Sequence, residues 1–127
     1  MLCVADYLDA LAWIDSIGGL SAAIARSEAN LAIIEEFVEK TSWLSFLARN
    51  PATVSNTSVC LSLDASPEQV KEILKLLEIE KVALDIGAYR DAPPGLRVWC
   101  GATVEKQDVA LLVEWLASAY VAVVSKG

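Results

Sequence analysis

The stretch at residues 89–101, YRDAPPGLRVWCG, constrains the fold more than any other part of the chain. Its two adjacent prolines restrict the backbone, and the glycine after them completes a rigid turn that sets the direction of the next segment. Residues 96–100 are apolar apart from Arg97 and are predicted to form a short strand. Strand alternation places Arg97 and Trp99 on one face, and the aliphatic residues and Cys100 on the other.

Arg97 is the strongest candidate for binding chemistry. A guanidinium within an apolar run requires an anion, because an unpaired buried charge loses its hydration without compensation. Its planar set of five donors fits a carboxylate through two parallel hydrogen bonds. Two interpretations remain open: Arg97 binds an acidic ligand, or it forms a structural ion pair with Asp85 or Asp91. Arg90, beside Asp91, is expected from its position to be a solvated loop charge.

Composition limits the classes of protein that this chain can represent. At 127 residues it has the size of one domain. Its apolar fraction of 55% is high for a free-standing soluble protein and indicates a surface buried against another domain or subunit. Residues 109–124 come nearest to a membrane span, but Glu114 interrupts them and the run is shorter than about 18 residues. The net charge of −7 argues against general nucleic-acid binding, which needs a basic face.

The chain has no histidine, so the common zinc sites and the Ser-His and Cys-His nucleophile pairs are excluded. Its lysines fall on polar helix faces, at helix ends or in the tail, where no apolar pocket would lower a lysine pKa for Schiff-base work. No catalytic residue and no metal site is therefore predicted. Cys3, Cys60 and Cys100 are odd in number and lie in apolar surroundings, which is typical of reduced cytosolic thiols.

Periodicity predicts an α+β fold. A small, mainly antiparallel sheet of about three to four strands is covered on one face by helices, and a long N-terminal helix frames the domain. Ser66 is the expected N-cap of one helix, with Gln69 completing a capping box. The hydroxyls of residues 55–58 either bind an anion or satisfy the strand entry by local bonds. Helices are predicted at residues 2–17, 20–40, 67–78 and 103–124, and strands at 43–47, 57–63, 82–88 and 96–100.

Four segments carry a resemblance to a known family: SIGGL at 16–20, NPAT at 50–53, SNTSVCL at 55–61 and DIGAYRDAPPGLRVWCGATVE at 85–105. Together they resemble the C-terminal part of phosphoserine aminotransferases, which are fold-type-I enzymes that depend on pyridoxal phosphate. The resemblance implies that residues 1–127 form the small domain of such an enzyme. Residues 1–40 would be interdomain and framing helices, and residues 41–127 the α/β core.

The resemblance also implies roles for two arginines. Arg97 would clamp the substrate α-carboxylate, and Arg90 would contact the substrate phosphate. Tyr89 departs from the family, which often has a His-Arg pair at positions 89 and 90. Val54 stands where similar sequences often carry an arginine.

The activity implied is transfer of an amino group between glutamate and 3-phosphohydroxypyruvate in L-serine biosynthesis, by a cytoplasmic homodimer. Pyridoxal phosphate, its lysine and most of its ligands would belong to a large domain that precedes residue 1. The isolated chain would bind no cofactor and would be inactive, and its partners would be that domain and small acidic substrates, with no nucleic acid and no membrane. Two alternatives stay open: the small domain of another fold-type-I enzyme, or a stand-alone module that binds an acidic metabolite.

Overall fold

The computed structural model describes residues 1–125, so the predicted tail residue Lys126 lies outside the described residues. The elements follow one another as helix, helix, strand, strand, helix, strand and helix, with one 3-10 turn after the first strand. This α+β arrangement was predicted. The bounds are α1 (Leu2–Ser16), α2 (Gly19–Glu39), β1 (Leu44–Phe46), the 3-10 turn (Pro51–Thr53), β2 (Ser58–Leu63), α3 (Pro67–Ile79), β3 (Gly95–Trp99) and α4 (Lys106–Val124).

The three strands form one antiparallel sheet in the order β1-β2-β3. In this register Cys60 lies opposite Arg97, and Ser62 lies opposite Gly95. The approach of β3 to β2 at this point requires glycine. A Cβ atom on Gly95 would lie 2.0 Å from the carbonyl oxygen of Leu61.

One face of the sheet forms the core with the helices. The β2 residues Val59, Leu61 and Leu63 are buried, as the alternation of that segment predicts. The capping box is present, because the Ser66 hydroxyl accepts from the Gln69 backbone N–H while the Gln69 side chain accepts from the Ser66 N–H. The helices contribute these buried apolar residues: Ile34 from α2, Val70, Ile73 and Leu77 from α3, and Val109, Leu116 and Ala119 from α4.

The strand predicted at residues 82–88 is absent, and this prediction was wrong. Lys81 and Asp85 adopt left-handed backbone conformations, with φ of 56° and 53°, which are incompatible with extended strand pairing. Two links to β3 remain. Gly87 pairs with Leu96 in an isolated antiparallel bridge, and the Arg97 N–H donates to the Ile86 carbonyl at 2.8 Å. The proline turn therefore joins β3 to an irregular segment that touches it.

The first two helices leave much apolar surface in solvent. None of the α1 residues is buried, and the apolar residues Leu20 and Ile24 at the start of α2 are 72% and 46% exposed. The reason is that α1 packs mainly on α2, so its outer face has no element to cover it among residues 1–125. Exposed apolar surface of this extent is unusual for an isolated domain.

Helix α4 packs one face against α2 and α3. The ring of Tyr120 stacks on Trp43 with centroids 3.8 Å apart, and its hydroxyl donates to the Asp64 carbonyl at 2.8 Å. By length and composition α4 is also long and apolar enough to cross a membrane, although it contains Asp108 and Glu114. Within residues 1–125, α1 and α2 meet the same test only as a pair bent by 82°.

Candidate functional site

Arg97 lies on β3, at the edge of the sheet, and its side chain is on the face opposite to the helices. Its neighbours Leu96 and Val98 are buried in the core, and Trp99 is 60% exposed, so the predicted alternation is confirmed. The side chain of Arg97 is 31% exposed. It is therefore shielded on part of its surface and accessible to a ligand on the rest.

Tyr89 covers one side of the Arg97 guanidinium. The guanidinium carbon lies 4.8 Å from the centroid of the Tyr89 ring, within the range of a cation–π contact. The Arg97 guanidinium, and then the Ser58 hydroxyl, lower the pKa of the Tyr89 phenol below its ordinary value. Tyr89 in turn raises the pKa of Arg97. These effects agree in sign, because each group favours the charged form of the other.

Asp85 is the anion nearest to Arg97. Its carboxylate lies 3.7 Å from the Arg97 Nη2 atom, and its side chain is 95% exposed. The ion pair that was one of the two interpretations of Arg97 is thus present. An ion pair with such an exposed partner and such a long N–O distance is weak, because water screens the charges and the side chains lose rotamer entropy when they form the pair. It leaves Arg97 available to a competing carboxylate.

A cleft of about 460 Å³ opens beside Arg97 at the β3 edge of the sheet. Clefts that bind small molecules have volumes of about 300–1,000 Å³. Among residues 1–125, Arg97 is the only cationic residue that lines this cleft, and Asp85 and Asp108 are the acidic ones. The lining combines this charge with apolar walls from residues 82–86, from Trp99 and from the first turns of α4.

Arg90 does not line this cleft. It is exposed in the turn that begins at Tyr89, where the Ala92 N–H donates to the Tyr89 carbonyl at 3.0 Å. Among residues 1–125 its side chain makes neither a hydrogen bond nor an ion pair. Arg90 and Arg97 are close in sequence, but their guanidinium groups do not line the same cleft. The contact of Arg90 with a substrate phosphate stays a prediction.

The hydroxyls of residues 55–58 bond locally. The Ser55 Oγ atom accepts from the N–H groups of Thr57 and Ser58 at 3.3 and 3.2 Å. Of the two predicted roles for these hydroxyls, anion binding and local hydrogen bonding, this geometry matches the second, in which the hydroxyls bond to backbone N–H groups at the start of the strand.

A pair of α2 residues that the sequence analysis missed holds the loop after β3. Arg26 donates to the Ala102 carbonyl and pairs with the Glu105 carboxylate, both at 2.6 Å. Asn30 is 1% exposed and donates to the carbonyls of Cys100, Gly101 and Val104 at 3.0, 3.3 and 2.9 Å. The sequence feature that could have indicated this pair is the spacing of four residues between Arg26 and Asn30, because residues four apart lie on the same face of a helix.

The described residues do not fit covalent attachment of pyridoxal phosphate. A lysine that attacks a carbonyl as a neutral amine is usually desolvated in an apolar pocket. Every lysine among residues 1–125 is exposed, and Lys40 is paired with Glu36. No group of three or more metal-ligating side chains is present in that range either.

Sequence comparison relates the chain to two curated proteins, both described as phosphoserine aminotransferase. The protein from Methanosarcina mazei is 53% identical over 120 residues, and that from Methanosarcina barkeri is 54% identical over the same length. Each match covers 94% of this chain and 32% of the relative. No protein-family model matches the chain.

Solved structures share the fold. The phosphoserine aminotransferase from Bacillus circulans subsp. alkalophilus aligns with a TM-score of 0.77 and 22% identity, over 91% of this chain and 30% of that one. A phosphoserine aminotransferase studied for radiation damage of its Schiff base aligns with a TM-score of 0.74 and 19% identity, over 85% of this chain and 30% of that one. The relatives do not favour the two alternatives left open by the sequence. The resemblance of this chain to phosphoserine aminotransferases is thereby confirmed, over a segment that spans about a third of the length of such an enzyme.

Proposed function

We propose that this chain is the C-terminal small domain of a phosphoserine aminotransferase that depends on pyridoxal phosphate. The enzyme would transfer an amino group between glutamate and 3-phosphohydroxypyruvate in serine biosynthesis. Identity of 53% over 120 residues supports the assignment to this enzyme. The observation that carries the role of this domain is the partly exposed Arg97 guanidinium beside the cleft, whose nearest anion is the exposed carboxylate of Asp85.

Arg97 would bind the α-carboxylate of the substrate. Two parallel hydrogen bonds from a guanidinium fix a carboxylate in orientation as well as in position. Both glutamate and phosphoserine carry an α-carboxylate, so one residue would serve both halves of the reaction. Fixing the carboxylate also fixes the adjacent carbon, where bonds must break, and this is a gain from proximity and orientation.

Arg90 would contact the phosphate of phosphoserine or of 3-phosphohydroxypyruvate. Its exposed position in the turn after Tyr89 supports this role, because an exposed side chain can contact the phosphate of a ligand whose carboxylate engages Arg97. The turn connects directly to β3 through residues 91–94, so both arginines belong to one stretch of chain.

The remaining two thirds of the enzyme would supply the cofactor site. The lysines among residues 1–125 support that division, since each is exposed and none is desolvated as an attachment point would be. The apolar surface of α1 and of the start of α2 would pack against the large domain or against a second subunit of a cytoplasmic homodimer. Residues 1–40 would form this connection, and residues 41–127 would form the α/β core.

A chimeric enzyme tests the proposal. The homologous segment of the Methanosarcina mazei protein is replaced by this chain, and transamination is measured with glutamate and 3-phosphohydroxypyruvate and in reverse with phosphoserine. We expect an active chimera. Arg97→Ala should lower kcat/KM for both amino acids by about 100-fold or more, because a charged bidentate pair is lost. Arg97→Lys should recover part of that loss, since an ammonium cannot reproduce the paired contact.

Two further variants serve as a control and as a test of the phosphate contact. Lys71→Ala removes an exposed cation on α3 and should leave both values of kcat/KM unchanged. Arg90→Ala should reduce kcat/KM for phosphoserine and leave that for glutamate unaltered, because glutamate has no phosphate. An Arg97→Ala chimera with wild-type kinetics on both amino acids would contradict the carboxylate assignment.

A further inference from the structure

The guanidinium group offers two different surfaces for interaction. Its flat faces stack on aromatic rings, and its edge carries the N–H donors that pair with a carboxylate. Stacking and carboxylate binding therefore use different directions and can occur together. A ring on one face also restricts the rotation of the group, so the donors at the edge keep a fixed plane.

The surroundings of Arg97 follow this division. The Arg97 guanidinium lies over the Tyr89 ring, with its carbon 4.8 Å from the ring centroid, while the Asp85 carboxylate lies 3.7 Å from the Nη2 donor. The backbone between these two partners is anchored to β3, because the Arg97 N–H donates to the Ile86 carbonyl and Gly87 pairs with Leu96. Asp85 thus belongs to the irregular segment that replaces the predicted strand at residues 82–88, and Tyr89 follows that segment directly.

We propose that Tyr89 is a positioning residue for Arg97, and that Asp85 is a placeholder anion which the ligand carboxylate displaces. The proposal rests on the proposed role of Arg97 as a carboxylate clamp. Tyr89 holds the guanidinium over its ring, so that the donors of the guanidinium face the cleft. Asp85 pairs with those donors when the cleft is empty and returns to solvent, where it is already 95% exposed, when an acidic ligand binds.

The left-handed conformation of Asp85 supports this role. With φ of 53°, the residue adopts a backbone conformation that few side chains other than Asn and Asp accept easily. It turns the chain so that the carboxylate faces Arg97, while the side chain remains in solvent and keeps most of its hydration. Breaking the ion pair between Asp85 and Arg97 therefore costs little free energy, and a ligand carboxylate can displace Asp85.

The first arm of the test is structural. In the 127-residue chain, NMR resolves the Nε–Hε signal of Arg97, which the ring current of Tyr89 should shift upfield. Tyr89→Leu should abolish that shift, and Tyr89→Phe, which keeps the ring, should restore it. Arg26, whose guanidinium carbon lies 5.6 Å from the Trp13 ring, provides an internal reference that neither variant touches.

The second arm is kinetic and uses the chimeric enzyme. Tyr89→Leu should raise KM for glutamate and for phosphoserine by about two- to fivefold with kcat nearly unchanged, because the stack stabilises bound substrate and transition state equally. Tyr89→Phe should bring KM back toward the wild-type value. Asp85→Asn should lower both KM values by up to about threefold, since a competing exposed pair is removed.

The outcomes separate this inference from the proposed function. An unshifted Arg97 signal in the wild-type chain, or unchanged KM in Tyr89→Leu together with a large loss in Arg97→Ala, would overturn the positioning role and leave the clamp standing. An increase in KM for Asp85→Asn would overturn the placeholder role. Wild-type kinetics in Arg97→Ala would instead overturn the clamp, and the inference with it.

Discussion

The Nδ2 atom of Asn30 lies 2.9 Å from the carbonyl oxygen of Val104 and joins helix α2 to the loop that follows β3. The same nitrogen reaches the carbonyls of Cys100 and Gly101. Because these carbonyls belong to the residues immediately after Trp99, Asn30 holds the end of the strand that carries Arg97. The position of the candidate site thus depends on a side chain of the long helix.

Asn30→Ala should lower the free energy of unfolding by about 1–3 kcal/mol, because buried carbonyls lose their donor. Urea unfolding of the 127-residue chain measures this. Asn50→Ala is the matched control, since Asn50 accepts one exposed bond, from the Ala52 N–H at 3.0 Å. It should cost less than about 1 kcal/mol. If both variants lose the same free energy of unfolding, the buried hydrogen bonds of Asn30 contribute no more than the single exposed bond of Asn50, and the prediction is wrong.

Gly95→Ala should disrupt the pairing of β2 with β3. The new Cβ atom would lie 2.0 Å from the Leu61 carbonyl oxygen, which is backbone and cannot move away without breaking the ladder. We expect destabilisation at the upper end of about 1–3 kcal/mol or beyond. Gly87→Ala is the control, because its nearest neighbour would be a Leu74 methyl group at 3.7 Å, an ordinary contact. Similar melting temperatures for the two variants would contradict the register.

Removal of the Arg97 guanidinium should raise the pKa of Tyr89. Arg97 and then Ser58 hold the pKa of the phenol below its ordinary value, and Arg97→Ala deletes the larger influence. Titration of the ¹³Cζ resonance of Tyr89 measures the change, with the signals of Tyr7 and Tyr120 as internal references. Ser58→Ala should raise the same pKa by a smaller amount. A Tyr89 titration that does not respond to Arg97→Ala would show that the two side chains are apart in solution.

Stability should decline at alkaline pH because of Cys100. Burial raises the pKa of its thiol from 9.0 to about 11. The unfolded chain releases this proton at lower pH than the folded chain, so the contribution to stability is complete below about pH 9 and is lost as pH rises toward 11. Urea unfolding at pH 8 and at pH 10.5 measures the decline. Cys100→Ala should show a smaller decline between the two pH values, and parallel declines in both proteins would contradict the prediction.

Several local features of the fold follow from the sequence. Ser66 and Gln69 form the predicted capping box, since its bonds join residues three apart and need no tertiary partner. The alternation in β2 and β3 correctly assigns Val59, Leu61, Leu96 and Val98 to the core, because the period of two follows from strand geometry itself. The boundary of the last helix is less accurate, since it begins at Lys106 after an irregular turn that Arg26 and Asn30 hold in place.

The candidate site was predicted only in part. The sequence singles out Arg97 by its charge within an apolar strand, and it supplies two possible anions. The failure at residues 82–88 has a physical cause. An apolar segment of that length resembles a strand, but φ is positive at Lys81 and Asp85, and the Val82 N–H donates to the Leu77 carbonyl of α3 at 2.9 Å. The partnership of Tyr89 with Arg97 was not predicted, because no periodicity relates two residues across an irregular turn.

By itself, the sequence determined the helices, the three strands of the sheet, the faces that β2 and β3 bury and the arginine that requires an anion. These depend on periodicity, on caps and on the cost of an unpaired charge, all of which act within short stretches of chain. The sequence did not determine that the apolar stripes of α1 and of the start of α2 stay exposed. Only the tertiary structure decided which groups surround Arg97. The Tyr89 ring lies against it and Asp85 pairs with it because the segment between α3 and β3 folds irregularly against the sheet edge. That path brings together residues eight to twelve positions apart, which no helical or strand period relates.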